Sequence, residues 1–94
     1  MPYGLFIAKV EDYKKWKSLF DKHPATRKAK GSKGGKVFRS ADDPNQVVVL
    51  LEWDTLQKMR QFSQSEDLRE RMQEAGVIGQ PEIHFLKVAG MPSA

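Results

Sequence analysis

The 94-residue chain has no cysteine and only two histidines, His23 and His84. The absence of cysteine excludes disulfide bonds and thiolate chemistry, and it agrees with a reducing, cytoplasmic environment. The two histidines are far apart in the sequence and form no HxH or HxxxH pattern, which gives a transition-metal site little support. We therefore expect neither a metal nor a cofactor.

Long apolar runs are also absent. The N-terminal segment "MPYGLFIAKV" has no basic lead-in and only a short apolar run, so it is typical of neither a secretory signal nor a membrane span. We expect one domain over residues 1–94, with an ordered core at about 3–88. A chain of this length buries only about 60–65% of the surface that its unfolded form exposes. Because such a core is thin, we expect a homodimer.

Charge is distributed unevenly along the chain. Residues 9–39 contain eleven Lys and Arg against three acidic residues, whereas residues 40–94 contain five basic and nine acidic residues. The basic loop at 27–36 could attract anions or nucleic acid. It has no aromatic side chain on which bases could stack, so nucleic-acid binding is the weaker interpretation. A solvated helix face followed by a lysine-rich loop is favoured.

Apolar runs bounded by turn residues predict four strands, at about 3–10, 36–40, 46–53 and 82–88. The glycine-rich segment "GSKGGK" before the second strand is predicted to be a flexible loop, and Pro81 is predicted to open the last strand. The five-residue apolar run 47–51 indicates a central strand that is buried on both faces.

Two amphipathic helices are predicted between these strands. Asp12 is the expected N-cap of the first, and His23 is expected near its C-terminus, where the helix dipole favours an imidazolium. The second helix begins at Asp54 or Thr55 and ends before Gly76. The spacing of Ser63 and Glu66 predicts a capping box that restarts this helix.

The resulting order is βαββαβ, which is typical of a ferredoxin-like α+β fold. Such a fold has a four-stranded antiparallel sheet in the order 4-1-3-2 with two helices on one face. The first and third strands are apolar at almost every position, so both faces of the sheet require burial. No segment is left to cover the second face, and a second copy of the chain is the expected cover.

The segments "VVVLLEWDTLQKMRQF" and "SEDLRERMQEAGVIGQPEIHFL", together with this element order, resemble the dimeric α+β barrel superfamily. That superfamily includes antibiotic biosynthesis monooxygenases, polyketide cyclases, muconolactone isomerases, haem-degrading monooxygenases and stress-responsive barrel proteins. The resemblance covers residues 3–88 and implies a dimeric barrel with a cavity.

Two features depart from the enzymes of this group. The haem degraders carry a helix-borne histidine that ligates iron, and the second helix here contains no histidine. The cofactor-independent monooxygenases use pocket-lining Asn, Trp and Tyr, whereas Asn45 lies in a turn. No catalytic residue is therefore transferred from the resemblance.

Glu52 and His84 are the candidate catalytic residues. Strand alternation places both on the sheet face that lacks helices. A carboxylate on a largely buried strand needs a charged partner or shifts its protonation equilibrium, which makes Glu52 a candidate general base or ligand anchor. His84 is a candidate proton shuttle. The structural alternatives are that Glu52 reaches water or pairs with Arg39, or with a lysine across the dimer, and that His84 packs at the interface.

Trp53, Arg39 and Phe6 are the candidate ligand-binding residues. Trp53 ends a strand and could form a pocket wall. Arg39 could bind an anionic ligand in a bidentate manner. Core packing of Trp53 and a surface position or ion pair of Arg39 are the alternatives.

These observations leave three hypotheses for the function. The first is a homodimeric barrel that binds a small apolar or aromatic ligand. The second is a cofactor-independent monooxygenase or cyclase-like enzyme acting on an aromatic or polyketide-like substrate, for which Glu52 and His84 should meet in one cavity. The third and weakest is anion or nucleic-acid binding through the 27–36 loop.

Overall fold

The computed structural model describes all residues from 1 to 94 and contains one antiparallel sheet. Its strands are β1 (Tyr3–Val10), β2 (Ser32–Arg39), β3 (Gln46–Trp53) and β4 (Val77–Leu86). The spatial order is β2-β3-β1-β4, which confirms the order and the ferredoxin-like α+β fold predicted from the sequence. Alternation along β1 and β3 sets which side chains face the helices and which do not.

Four short helices lie on one face of this sheet: α1 (Tyr13–Asp21), α2 (Pro24–Ala29), α3 (Leu56–Ser63) and α4 (Glu66–Glu74). Each of the two predicted helices is divided into two. Pro24 occupies the first turn of α2, where its missing N–H costs no hydrogen bond. Asp12 caps α1 as predicted, since its Oδ1 accepts from the N–H groups of Lys14 and Lys15. None of the helices is long and apolar enough to cross a lipid bilayer.

The prediction of a flexible loop at "GSKGGK" is wrong, because β2 begins at Ser32 and includes Gly34 and Gly35. Gly34 pairs with Glu52 and Gly35 with Leu51, after a bulge in the ladder. A Cβ built at Gly35 would clash with the backbone oxygen of Leu50. Glycine is therefore present here because two strands approach closely, and not because the segment is flexible.

The last strand also begins earlier than predicted, at Val77, and Pro81 lies inside it. A proline is tolerated there because β4 is an edge strand whose outward N–H groups need no partner. The register of β4 against β1 shifts between the pairs formed by Ile7 and Lys9. Gly79, at φ +68°, lies in this irregular stretch and takes a backbone conformation that favours glycine.

The core lies between the sheet and the helices. It is built on alternate residues of the two central strands, with Trp16 and Ala75 closing it from the helix side. Val10 and Val47 are fully buried. On the other face, the pairs Leu5–Leu50 and Ile7–Val48 are only half-buried. Both faces of the sheet are apolar, and the helices of one chain cover only one of them.

Ser65, and not Ser63, caps α4. Ser65 Oγ accepts from the backbone N–H of Leu68 at 3.2 Å, whereas Ser63 Oγ donates to the carbonyl oxygen of Arg60 at 2.8 Å. The predicted capping box of Ser63 and Glu66 is therefore wrong. Ser63 still belongs to the last turn of α3, and the chain turns only at Gln64 and Ser65.

We predict that Ser65→Ala lowers the free energy of unfolding by about 1 kcal/mol, since it removes the acceptor for an otherwise unpaired N–H. Urea unfolding followed by circular dichroism measures this loss. Ser63→Ala is the matched control and should change the free energy of unfolding by less than half as much. Equal losses in the two variants would contradict the assignment of Ser65 as the cap.

Candidate functional site

A cavity of about 140 Å³ lies between the sheet and the helices. Of the 21 residues that line it, 14 are hydrophobic, so its wall is mainly apolar. An engineered apolar protein cavity of about 150 Å³ holds a benzene molecule. The cavity is therefore of the size that holds one aromatic ring.

The sheet side of the cavity is built by residues of β1 and β3 together with Ile83 of β4, and Gly4 is part of it. A Cβ at Gly4 would lie 2.9 Å from Met59 Sδ and 3.2 Å from Trp53 Nε1. The missing side chain thus lets both groups reach the strand. Trp53 is 3% exposed and its ring lies 5.1 Å from that of Phe62, so the wall here is a pair of packed aromatic rings.

All four helices contribute side chains to the helix side of the cavity. Trp16 stacks on Phe20 with ring centroids 5.2 Å apart, and Leu19 and Met72 also lie in this wall. The chain contains two tryptophans in all, and both line the cavity. Signals from the two indole groups therefore report on what occupies it.

Arg27 is one of the few charged residues of the lining. Its Nη1 donates to the carbonyl oxygen of Phe20 at 2.8 Å, and its guanidinium lies 3.7 Å from the centre of the Phe20 ring. Burial lowers the pKa of Arg27; the negative charge of Asp21 opposes this shift, and the positive charge of Arg71 adds to it. Arg27 is thus partly desolvated and close to a second cation.

Arg71 lines the same cavity from α4. Its Nε donates to Asp67 Oδ2 at 3.1 Å on the exposed side of the helix. Its Nη1 is buried and has no hydrogen-bond partner, which is true of no other side-chain nitrogen or oxygen in the structure. A buried donor without an acceptor is rare in folded proteins and requires an explanation.

Two of the residues selected from the sequence, Phe6 and Trp53, line the cavity. Glu52 and His84 do not. Both lie on the sheet face without helices, where Glu52 pairs with Tyr3 and His84 with Leu5 across β1. The Cα atoms of Glu52 and His84 are two strands apart across the sheet and two residues apart along the strands. The distance between them is therefore roughly 12 Å. The fold of one chain therefore does not bring them together in the cavity, and their catalytic roles stay predictions.

Arg39 lies on the helix side of the sheet, outside the cavity lining. Its guanidinium stands over the Tyr13 ring at 4.1 Å, and its Nε donates to the carbonyl oxygen of Pro44 at 2.7 Å. It does not pair with Glu52, because the two side chains leave opposite faces of the sheet. Its role in binding an anionic ligand stays a prediction.

The basic segment 27–36 is divided between α2 and β2. Lys33 and Lys58 bind the two carboxylate oxygens of Asp54 at 3.1 and 3.2 Å, and their hydrogen bonds lower the pKa of Asp54. Asp54 thus offsets part of the positive charge on which an anion or nucleic-acid site would depend. No three His, Asp or Glu side chains are grouped so as to hold a metal ion.

Sequence reasoning missed the polar lining of the cavity, which includes His23, Arg27 and Arg71. His23 occupies the N-cap position of α2, makes no capping bond with its side chain and lines the cavity. In the sequence, Arg27 belongs to the basic loop at 27–36. The available signal for Arg71 was its position beside the apolar stripe of α4, formed by Leu68 and Met72.

Solved structures share this fold over nearly their whole length. The cofactor-independent oxygenase SnoaB from Streptomyces nogalater has a TM-score of 0.78 at 13% identity, with 99% of this chain and 97% of that chain covered. A protein from Bordetella bronchiseptica assigned to the antibiotic biosynthesis monooxygenases has a TM-score of 0.76 at 18% identity, covering 94% and 96%. A conserved protein from Methanosarcina mazei has a TM-score of 0.71 at 18% identity, covering 92% and 90%.

These identities are too low to show more than a common fold. A search of curated protein sequences gave no match. The family model for antibiotic biosynthesis monooxygenases matches residues 8–74, which is more than half of the chain and includes most of the cavity wall. The chain therefore belongs to the antibiotic biosynthesis monooxygenase family.

Proposed function

We propose that this protein is a homodimer that binds a small aromatic molecule in the cavity between its sheet and its helices. The observation that carries the proposal is the cavity itself, which is of single-ring size and mainly apolar. Pockets of this composition, with a few polar groups, are the usual sites of small-molecule binding.

An aromatic ligand fits the cavity better than an aliphatic one of equal size. Two packed ring pairs face the space, Trp53 with Phe62 and Trp16 with Phe20. Aromatic pairs in favourable orientation are worth about 0.5–1.5 kcal/mol beyond the area that they bury. An aliphatic ligand would gain only the burial of its apolar area.

The proposal of a homodimer rests on the sheet face without helices. Its central residues are the apolar side chains of β1 and β3, and Phe38 and Leu86 at its margins are 47% and 39% exposed. Apolar faces of this kind are covered in stable proteins, and a two-fold axis lets the same face cover itself. Lys36 on the β2 side and Glu82 on the β4 side are opposite charges that such an axis can bring together.

Oxygenation without a cofactor is the second candidate function, because the chain belongs to a monooxygenase family and shares its fold with SnoaB. Without a cofactor, the substrate itself must supply the electrons that reduce O₂. Insertion of one oxygen atom into a CH₂ group gives a carbonyl and releases the second atom as water, so the substrate supplies four electrons. Glu52 and His84 are the proposed acid–base residues, at a site that the dimer would enclose.

We predict that benzamide binds in the cavity and shifts the indole N–H signals of both Trp16 and Trp53 in a ¹⁵N-correlation NMR titration. Ala75→Leu adds a larger side chain to the lining and should weaken binding at least about tenfold, because it fills the volume that the ring needs. Ala25→Leu adds the same atoms at an exposed position of α2 and should leave the affinity unchanged. Unmoved indole signals in the unaltered chain would exclude the cavity as a binding site.

For the homodimer, sedimentation equilibrium at micromolar concentration should give twice the chain mass of 10.7 kDa. Leu50→Lys places a charge at the centre of the helix-free face and should shift the mass toward one chain. Ser18→Lys, on the exposed side of α1, should stay dimeric. A mass of one chain for the unaltered protein would contradict the dimer.

For oxygenation, we predict that anthrone is converted to anthraquinone with one ¹⁸O atom from ¹⁸O₂, as measured by mass spectrometry. Anthrone has an acidic CH₂ group between two rings, so its enolate is electron-rich. Loss of turnover in Glu52→Gln or His84→Ala, with Ala75→Leu unaffected, would assign the chemistry to the helix-free face. The reverse pattern would assign it to the cavity, and anthraquinone without ¹⁸O would exclude an oxygenase.

A further inference from the structure

Two guanidinium groups border the cavity from different helices. Arg27 comes from α2 and Arg71 from α4, and they lie close enough to repel each other. Protein oxygens satisfy them only in part: Arg27 donates to Phe20 and Arg71 Nε to Asp67. Arg71 Nη1 is left buried without an acceptor. In the free protein, this desolvation cost is not offset by any hydrogen bond.

We propose that the ligand carries a carboxylate, which accepts hydrogen bonds from the guanidinium groups of Arg27 and Arg71, while its aromatic ring occupies the apolar part of the cavity. Because Nη1 of Arg71 is buried, a small rotation of this side chain must open it to the carboxylate. The inference rests on the proposed function, since it concerns the same cavity. It names the ligand class as a small aromatic acid. A planar guanidinium matches the geometry of a carboxylate, and a charged pair in a partly dry site is stronger than a neutral hydrogen bond.

The acidic residues of the protein do not fill this role. Asp67 binds Arg71 through Nε on the exposed side, and the carboxylate of Asp21 is held by Lys17 at 2.7 Å. Glu74 lines the cavity but forms no ion pair with either arginine. An acidic group brought by the ligand would give Nη1 its missing acceptor and reduce the repulsion between the two cations.

Benzoate and benzamide test this inference, because they have nearly the same shape and differ in charge. We expect calorimetry to show that benzoate binds at least about tenfold more tightly than benzamide, as one charged hydrogen bond implies. Arg71→Met should abolish this preference while benzamide binding is retained. Arg71→Lys keeps the positive charge but loses the planar pair of N–H donors, so it should retain only part of the preference. Arg69→Met, an exposed arginine of the same helix, is the matched control.

The outcomes separate the inference from the proposed function. Equal binding of benzoate and benzamide would overturn the carboxylate site and leave the aromatic cavity intact. Binding of neither would overturn both. A preference for benzoate that survives in Arg71→Met would overturn the role of Arg71.

Thermal unfolding of the ligand-free protein separates a ligand-binding arginine from one that stabilises the fold. Removal of a stabilising arginine would lower the unfolding temperature. Because Arg71 Nη1 has no partner, Arg71→Met should unfold at a temperature no lower than that of Arg69→Met. A clearly lower temperature would show that the arginine stabilises the fold, and would overturn its assignment as a ligand group.

Discussion

The pairing of β1 with β3 is the interaction on which the rest of the structure depends. Its register sets Phe6 beside Val49 on one face and Leu5 beside Leu50 on the other. Both faces of the central sheet are therefore apolar. Because exposed apolar area is unfavourable in water, each face requires a cover, and the four helices of one chain supply only one. The shape of the helix layer and the proposed association of two chains both follow from this requirement.

The cavity is a consequence of how the helix layer is assembled. The helices are only six to nine residues long, and breaks at His23 and around Gln64 divide them. All four of these short segments contribute to the lining of the cavity. At Gly4 the strand offers no side chain, which lets Met59 and Trp53 approach it. The result is a cavity that is lined by large aromatic side chains and has about the volume of one aromatic ring.

The buried end of Arg71 shows that this space is not optimised for stability alone. An apolar side chain at the same position would avoid the cost of an unpaired N–H. Natural proteins accept such costs most often at functional sites, where an unmet hydrogen-bonding capacity becomes affinity for a ligand. The second arginine, Arg27, is partly desolvated and stacked on Phe20. It too favours a negatively charged group on the ligand.

Local patterns in the sequence determined much of this fold. The apolar run before Trp53 predicted a central strand, Asp12 predicted the start of α1, and the order of elements predicted the sheet topology. The prediction of a flexible loop at Gly35 is wrong, because glycine occurs both in flexible loops and where two strands approach closely. The sheet face of Glu52 followed from alternation. Only the tertiary structure decided that the cavity lies on the other face, and that Arg27 and Arg71, distant in sequence, both border it. Such meetings depend on the packing of separate helices, which no local pattern specifies.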